Sequence, residues 1–202
     1  WIYLGDLTHV HGDGRDLSLP HHECETAQTW GVTGNPTFAR FWLHTAMVRY
    51  QGEKMSKSLG NLIWVRDLLK DHTPDAVRLL VNGHPYYETW EYDAAELSPA
   101  DALAARLLRA ALAQGGRGPA VEAQDLVQAF EAALDDNLNT RRALEALGQL
   151  AVRITSGAAA GKNIAGAQAA LRKLSTVFGL RLDGDLEPRV CQGWDAHYRR
   201  FQ

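Results

Sequence analysis

Lys54-Met55-Ser56-Lys57-Ser58 runs directly into Leu59-Gly60-Asn61. Two lysines flank a serine in a polar stretch that ends on glycine. A given pentapeptide falls by chance in roughly one in ten thousand chains of this length, so this is a strong short motif. Ammonium groups on flexible stems are point charges suited to phosphate oxygens. A loop carrying two of them can close on a polyphosphate and stabilise charge developing on a departing pyrophosphate. The plainer reading is a solvated basic loop ahead of a helix.

Working upstream, Pro20-His21-His22-Glu23-Cys24-Glu25 precedes the pentapeptide. His21, Cys24 and Glu25 are spaced i, i+3, i+4, so on a helix they project from one face. Imidazole, thiolate and carboxylate are all zinc ligands, and a polar helix face has the same spacing. Further upstream Gly12, Gly14 and Asp16 form a glycine-rich turn that lets backbone approach a ligand closely. By itself such a turn is a weak signal. His44 either faces a ligand or caps a core.

The first fifty residues read as mixed α/β. Leu7 to Val10 is a short strand ending in the Gly12/Gly14 turn. Residues 21–30 suit a helix, with Pro20 near its start. Phe41 to Val48 reads as a buried strand, and 52–61 as loop. Val65 to Lys70 and Pro74 to Asn82 are short helices, the second capped by Thr73. From Ser98-Pro99 the pattern becomes helical throughout. Leu103, Leu107 and Ala111 mark one stripe, and Leu126, Phe130 and Leu134 a second. A third, after the Asn139 cap, carries Leu144, Leu147, Leu150 and Ile154, and a fourth Ala167, Leu171, Leu174 and Phe178. Four amphipathic helices with short polar or glycine-rich joints make an antiparallel bundle. The alternative is that the stripes dock onto another domain. Trp194, Tyr198 and Phe201 beside Arg199 and Arg200 suggest a final helix with an aromatic side, or rings that stack on RNA bases.

At 202 residues and 46% hydrophobic content the chain can build one good core or two small ones. No apolar run reaches membrane-span length, and no signal peptide opens the chain. Two cysteines, Cys24 and Cys191, make no disulfide framework and suit a reducing cytoplasm. The net charge of −3 does not advertise nucleic-acid binding, so any RNA contact would need local basic patches. Seven of the eight histidines lie before residue 98, which favours a polar site in the first half.

K-M-S-K-S at 54–58 resembles the second signature of the class I aminoacyl-tRNA synthetases, and its surroundings resemble the cysteinyl type in particular. The likeness takes in His11-Gly12-Asp13-Gly14-Arg15-Asp16-Leu17, Pro20-His21-His22-Glu23 with Glu25, and Trp42 to Val48 with Glu53. It continues through Val65-Arg66-Asp67, Asp75 to Arg78, Gly83-His84, Asp135 to Thr140 and Leu171 to Ser175, reaching about residue 180. Asp13 and Arg15 stand where the family has small residues, and Cys24 where it often has Asn.

The resemblance implies a chain of mixed, mainly α structure. Residues 1–53 would be the tail end of a Rossmann-type catalytic domain, 54–98 the K-M-S-K-S loop and a stem-contact junction, and 99–202 the helical bundle. The implied reaction is ATP-dependent adenylation of cysteine, with Mg, followed by transfer to cysteine-specific tRNA. Lys54 and Lys57 would act on the phosphates. Ser56, Gly12, Gly14, Asp16 and His44 would join them in binding ATP. His21 and Glu25, with Cys24 as a surrogate, would hold Zn, which in the family also takes two cysteines and the substrate thiol. A soft thiolate binds zinc far better than a serine hydroxyl. Those two cysteines and the first signature, His-x-Gly-His, are not in this sequence, so the chain reads as a C-terminal portion that is inactive alone, from a cytoplasmic monomer. Two rivals stand beside this reading. One is the mycothiol-pathway ligase joining cysteine to an aminosugar, against which Glu25 argues. The other is a non-catalytic tRNA-binding module.

Overall fold

The computed structural model describes residues 7–182. Two compact units divide the chain: residues 1–61 with 86–92, and residues 62–85 with 93–202.

The first unit is built on two parallel strands. Strand β1 (Thr8–Gly14) pairs with β2 (Ala39–Thr45), and helix α1 (Glu23–Thr33) lies between them in the chain. A parallel pair needs such a crossover, because a tight hairpin can only reverse direction. Gly34, with φ +72°, ends α1 in the left-handed conformation, and its N–H donates to the Trp30 carbonyl. A second sheet runs β4-β3-β5, from β3 (Val48–Tyr50), β4 (Glu53–Lys54) and β5 (Trp90–Glu91). Gln51 and Gly52 join β3 to β4, both with positive φ, which matches the right-handed twist of a hairpin.

Two expectations for this unit are corrected. The first strand does not stop before Gly12. It continues through Gly14, with Gly12 opposite Leu43 and Gly14 opposite Thr45, because the ladder to β2 extends that far. Nor is 41–48 one buried strand. The ladder breaks at Ala46-Met47, and Phe41 is 68% exposed. A short apolar run reads the same whether one face or both are covered, and β2 has β1 as its sole partner strand among the described residues.

The second unit is helical. It comprises α2 (Val65–Leu68), α3 (Pro74–Asn82), α4 (Leu97–Leu112), α5 (Gln124–Asp135), α6 (Thr140–Ala159) and α7 (Ala165–Val177). Thr73 caps α3, its hydroxyl accepting from Ala76 N, and Asn139 caps α6 by accepting from Arg142 N. The apolar stripes meet one another: α6 packs on α3, α4, α5 and α7. Leu107, Phe130, Leu147, Leu150, Ile154 and Leu171 are fully buried where these helices meet. Phe130 meets Phe178 edge-on at 5.7 Å between centroids.

The joints hold structure that periodicity did not suggest. Between α4 and α5, β6 (Gly118–Ala120) pairs in parallel with β7 (Lys162–Asn163), which lies between α6 and α7. Gly116 N donates to Lys162 O at 2.8 Å, and a Cβ on Gly116 would stand 2.0 Å from Gly161 O. Only glycine permits that approach. The aromatic residues from Trp194 onward lie outside the described residues. No helix among the described residues is long and apolar enough to cross a membrane.

Candidate functional site

The parallel register of β1 and β2 sets His11 beside Trp42 and Asp13 beside His44. Trp42 and His44, two residues apart, share a face of β2 and stack at 6.0 Å. The start of α1 brings His22 and Glu25 to the same place. His22 is only 3% exposed, and its Nδ1 lies 2.9 Å from His44 Nε2. Glu25 reaches two histidines, with Oε2 3.2 Å from His11 Nε2 and Oε1 3.6 Å from His21 Nε2. His11 packs edge-on against both His22 and Trp42, each at 5.0 Å.

The lysine loop has its own internal bracing. Ser56 N donates to Asn61 Oδ1 at 2.9 Å, while Asn61 Nδ2 donates to Lys54 O at 3.3 Å. Leu59 N donates to Ser56 Oγ, and Gly60 closes the turn with φ +65°. Lys54 Nζ pairs with Asp16 Oδ2 at 2.5 Å. That hydrogen bond holds the Asp16 carboxyl below the usual carboxylate range; desolvation opposes it, and the lysine charge adds to the lowering. A Cβ on Gly14 would lie 2.7 Å from Asp16 Oδ1, so the glycine leaves room for the carboxylate to turn back. Lys57 is exposed and forms no ion pair among the described residues.

The sequence-derived residues therefore fall into two groups. Lys54, Ser56 and Asp16 gather around the loop, with Gly14 under Asp16. His21, Glu25 and His44 belong to the histidine cluster. Gly12 lies on β1, and Cys24 is exposed, outside the group that converges on Glu25. His21 and Glu25 make two donors on one helical turn, short of the four a tetrahedral zinc shell normally takes.

Sequence reasoning missed His11 as a partner of Glu25 and His22 as its near neighbour. The i, i+3 spacing of His22 and Glu25 was a legible sign. The approach of His11 was not, since it depends on strand pairing.

The tRNA synthetases class I (C) catalytic domain family matches residues 2–102. The chain belongs to the class I (C) tRNA synthetases. The DALR domain family matches residues 129–183. Among similar curated proteins, the Cysteine--tRNA ligase of Pseudomonas aeruginosa (strain LESB58) is 39% identical over 188 residues, covering 93% of this chain and 40% of its own length. That of Alkalilimnicola ehrlichii is 41% identical over 198 residues, covering 96% and 42%. The chain thus spans about two fifths of the curated relatives it matches. Two solved structures share the fold. The agnB2 LeuRS of Agrobacterium radiobacter K84, in its ternary complex with tRNA and LeuAMS, superposes with a TM-score of 0.69 at 16% identity, over 88% of this chain and 27% of the other. Methionyl-tRNA synthetase of Mycobacterium tuberculosis with methionyl-adenylate gives 0.53 at 17%, over 89% and 42%. This class I (C) synthetase chain is of mixed, mostly helical architecture, a catalytic segment joined to a DALR helical domain.

Proposed function

We propose that this chain supplies the phosphate-handling loop and the helical part of a cysteine–tRNA ligase. Strands β1 and β2 with α1 are read as the closing part of a Rossmann-type sheet, since parallel strands joined through a helix are the unit of that fold. Helices α4 to α7 are read as an antiparallel bundle. The functional division follows 1–53, 54–98 and 99–202, and the setting is cytoplasmic.

In the reaction, the cysteine carboxylate attacks the α-phosphate of Mg-bound ATP and pyrophosphate leaves. A ribose hydroxyl at the tRNA 3′ end then attacks the aminoacyl carbon, and AMP leaves. Negative charge grows on the pyrophosphate as the first bond breaks. Lys57, without an ion pair among the described residues and carried on a loop braced by Asn61, is the observation that carries this reading, because such an ammonium can meet that charge directly. Lys54 is held by Asp16 and is exchanged to phosphate on binding. Ser56, Gly12, Gly14, Asp16 and His44 are assigned to the ATP side. His21 and Glu25 alone supply too few donors for a zinc shell.

The test is cysteine-dependent ATP–pyrophosphate exchange in a complete protein containing this segment. Lys57→Ala should lower the rate constant by about 10²–10³ with little change in the Michaelis constant for ATP. A raised Michaelis constant with an unchanged rate constant would reduce Lys57 to a binding group.

A further inference from the structure

We propose that Arg15 and Glu91 are positioning residues for Lys54, acting through the strap of residues 86–92, a role that rests on the phosphate-handling reading of the loop.

The contacts close into a ring within the first unit, residues 1–61 with 86–92. At one point of the ring the Lys54 ammonium meets Asp16. Arg15, next to Asp16 in the chain, donates from Nη2 to Tyr87 O at 2.6 Å. Further along the strap, Glu91 Oε1 accepts from Gly52 N at 2.8 Å. Gly52 and Glu53 lead straight into Lys54, which completes the circuit.

The strap is itself tied to the first unit. Ala46 N donates to Tyr86 O at 2.7 Å, and Tyr92 N to Arg49 O at 2.8 Å. Strand β5 runs parallel to β3 with Glu91 opposite Arg49, and the rings of Tyr50 and Tyr92 meet edge-on at 5.9 Å. Glu91 therefore reaches the Gln51-Gly52 turn from a paired strand. The bond of such a turn runs from its first carbonyl to its fourth amide, so the two central amides are left for other acceptors. Glu91 takes one of them.

A lysine ammonium rides on a flexible four-carbon stem, so its place is fixed only when both ends of the side chain are held. The ring holds both. Glu91 fixes the backbone end through the turn, and Arg15 fixes the ammonium end through Asp16. Placing a charge before the reacting complex forms removes part of the entropy cost of the reaction. When phosphate arrives, the half-exposed Lys54–Asp16 pair is the one link that has to open. The links from Arg15 and Glu91 are made to backbone atoms and stay closed.

Two measurements test the ring. In the 202-residue chain without nucleotide, carboxyl-carbon NMR follows the titration of Asp16. Glu91→Leu should move it upward, towards the ordinary carboxylate value, as the pair with Lys54 loosens. Loss of the Glu91 charge would by itself push Asp16 the other way, so an upward shift reports the loosened pair. Glu91→Gln keeps an acceptor oxygen and should leave Asp16 no higher than in the wild type. In a complete protein containing this segment, Glu91→Leu and Arg15→Met should slow cysteine-dependent ATP–pyrophosphate exchange by up to about 100-fold, with a smaller change in the Michaelis constant for ATP. Glu91→Gln should restore the rate. Arg15 and Glu91 are exposed, and far-UV circular dichroism should show each variant folded. Three results would overturn the role: an Asp16 titration unmoved in Glu91→Leu, exchange unslowed in Glu91→Leu, or Glu91→Gln as slow as Glu91→Leu. Lys57→Ala measured alongside separates the two readings. If it slows exchange and Glu91→Leu does not, the ring alone is wrong; if neither slows it, the loop reading falls as well.

Discussion

Lys54 Nζ lies 2.5 Å from Asp16 Oδ2, so the first lysine of the loop is tied to the residue two past the end of β1. The pair makes a pH prediction. Asp16 titrates below its ordinary 3.8, chiefly through the hydrogen bond from Lys54. A carboxyl whose value is depressed in the fold contributes stability above its unfolded value and loses it as pH falls through the folded one. The pair should therefore persist at neutral pH and open only below about 3.8, the usual carboxylate value. Carboxyl-carbon NMR should show Asp16 returning to its ordinary titration in Lys54→Met. Both groups are about half exposed, so solvent screening keeps the effect on global unfolding small.

Asn61 is expected to set the shape of the loop. Asn61→Ala removes the acceptor for Ser56 N and the donor to Lys54 O. At roughly 0.5–1.5 kcal/mol per hydrogen bond, the Ser56 amide should exchange with solvent several-fold faster. In a complete protein, adenylation should fall less than in Lys57→Ala, because the lysine charges remain.

The end of α4 is closed by side chains of α7. Gln168 Nε2 donates to the carbonyls of Ala110 and Ala113, and Arg172 Nη2 to that of Ala111. These are acceptors at a helix terminus, of which Ala110 O also takes the Ala113 N–H at 3.4 Å. Gln168→Leu should cost about 1–3 kcal/mol by leaving part-buried carbonyls unpaired, read as a lower urea midpoint with unchanged slope.

Phe130 is 1% exposed and meets Phe178 edge-on. Phe130→Ala should destabilise the helical unit by about 3–5 kcal/mol, the range for truncating a buried phenylalanine. Urea unfolding monitored by circular dichroism checks it. A change under 1 kcal/mol would mean the site collapses to fill the space.

The helical half was largely legible because its signals are local. Thr73 and Pro74 announce the start of α3, Asn139 that of α6, and the leucine spacing gives the buried faces. Burial of Phe41 was misjudged because exposure depends on what neighbours the strand, which no local pattern encodes. The cluster around Glu25 was half legible for the same reason. His21 and His22 are near it along one helix, whereas His11 arrives from a parallel strand. Gly116 and Gly161 look like ordinary loop glycines until their close approach is seen.

That approach couples two stretches of chain more than forty residues apart. Because β6 and β7 are zipped together, the α4–α5 and α6–α7 connections behave as one buckle rather than as two free loops. An insertion in one would drag on the other. Among relatives, gaps in these two connections should come in matched pairs, and a grafted tag tolerated elsewhere on the surface should be rejected at either of them.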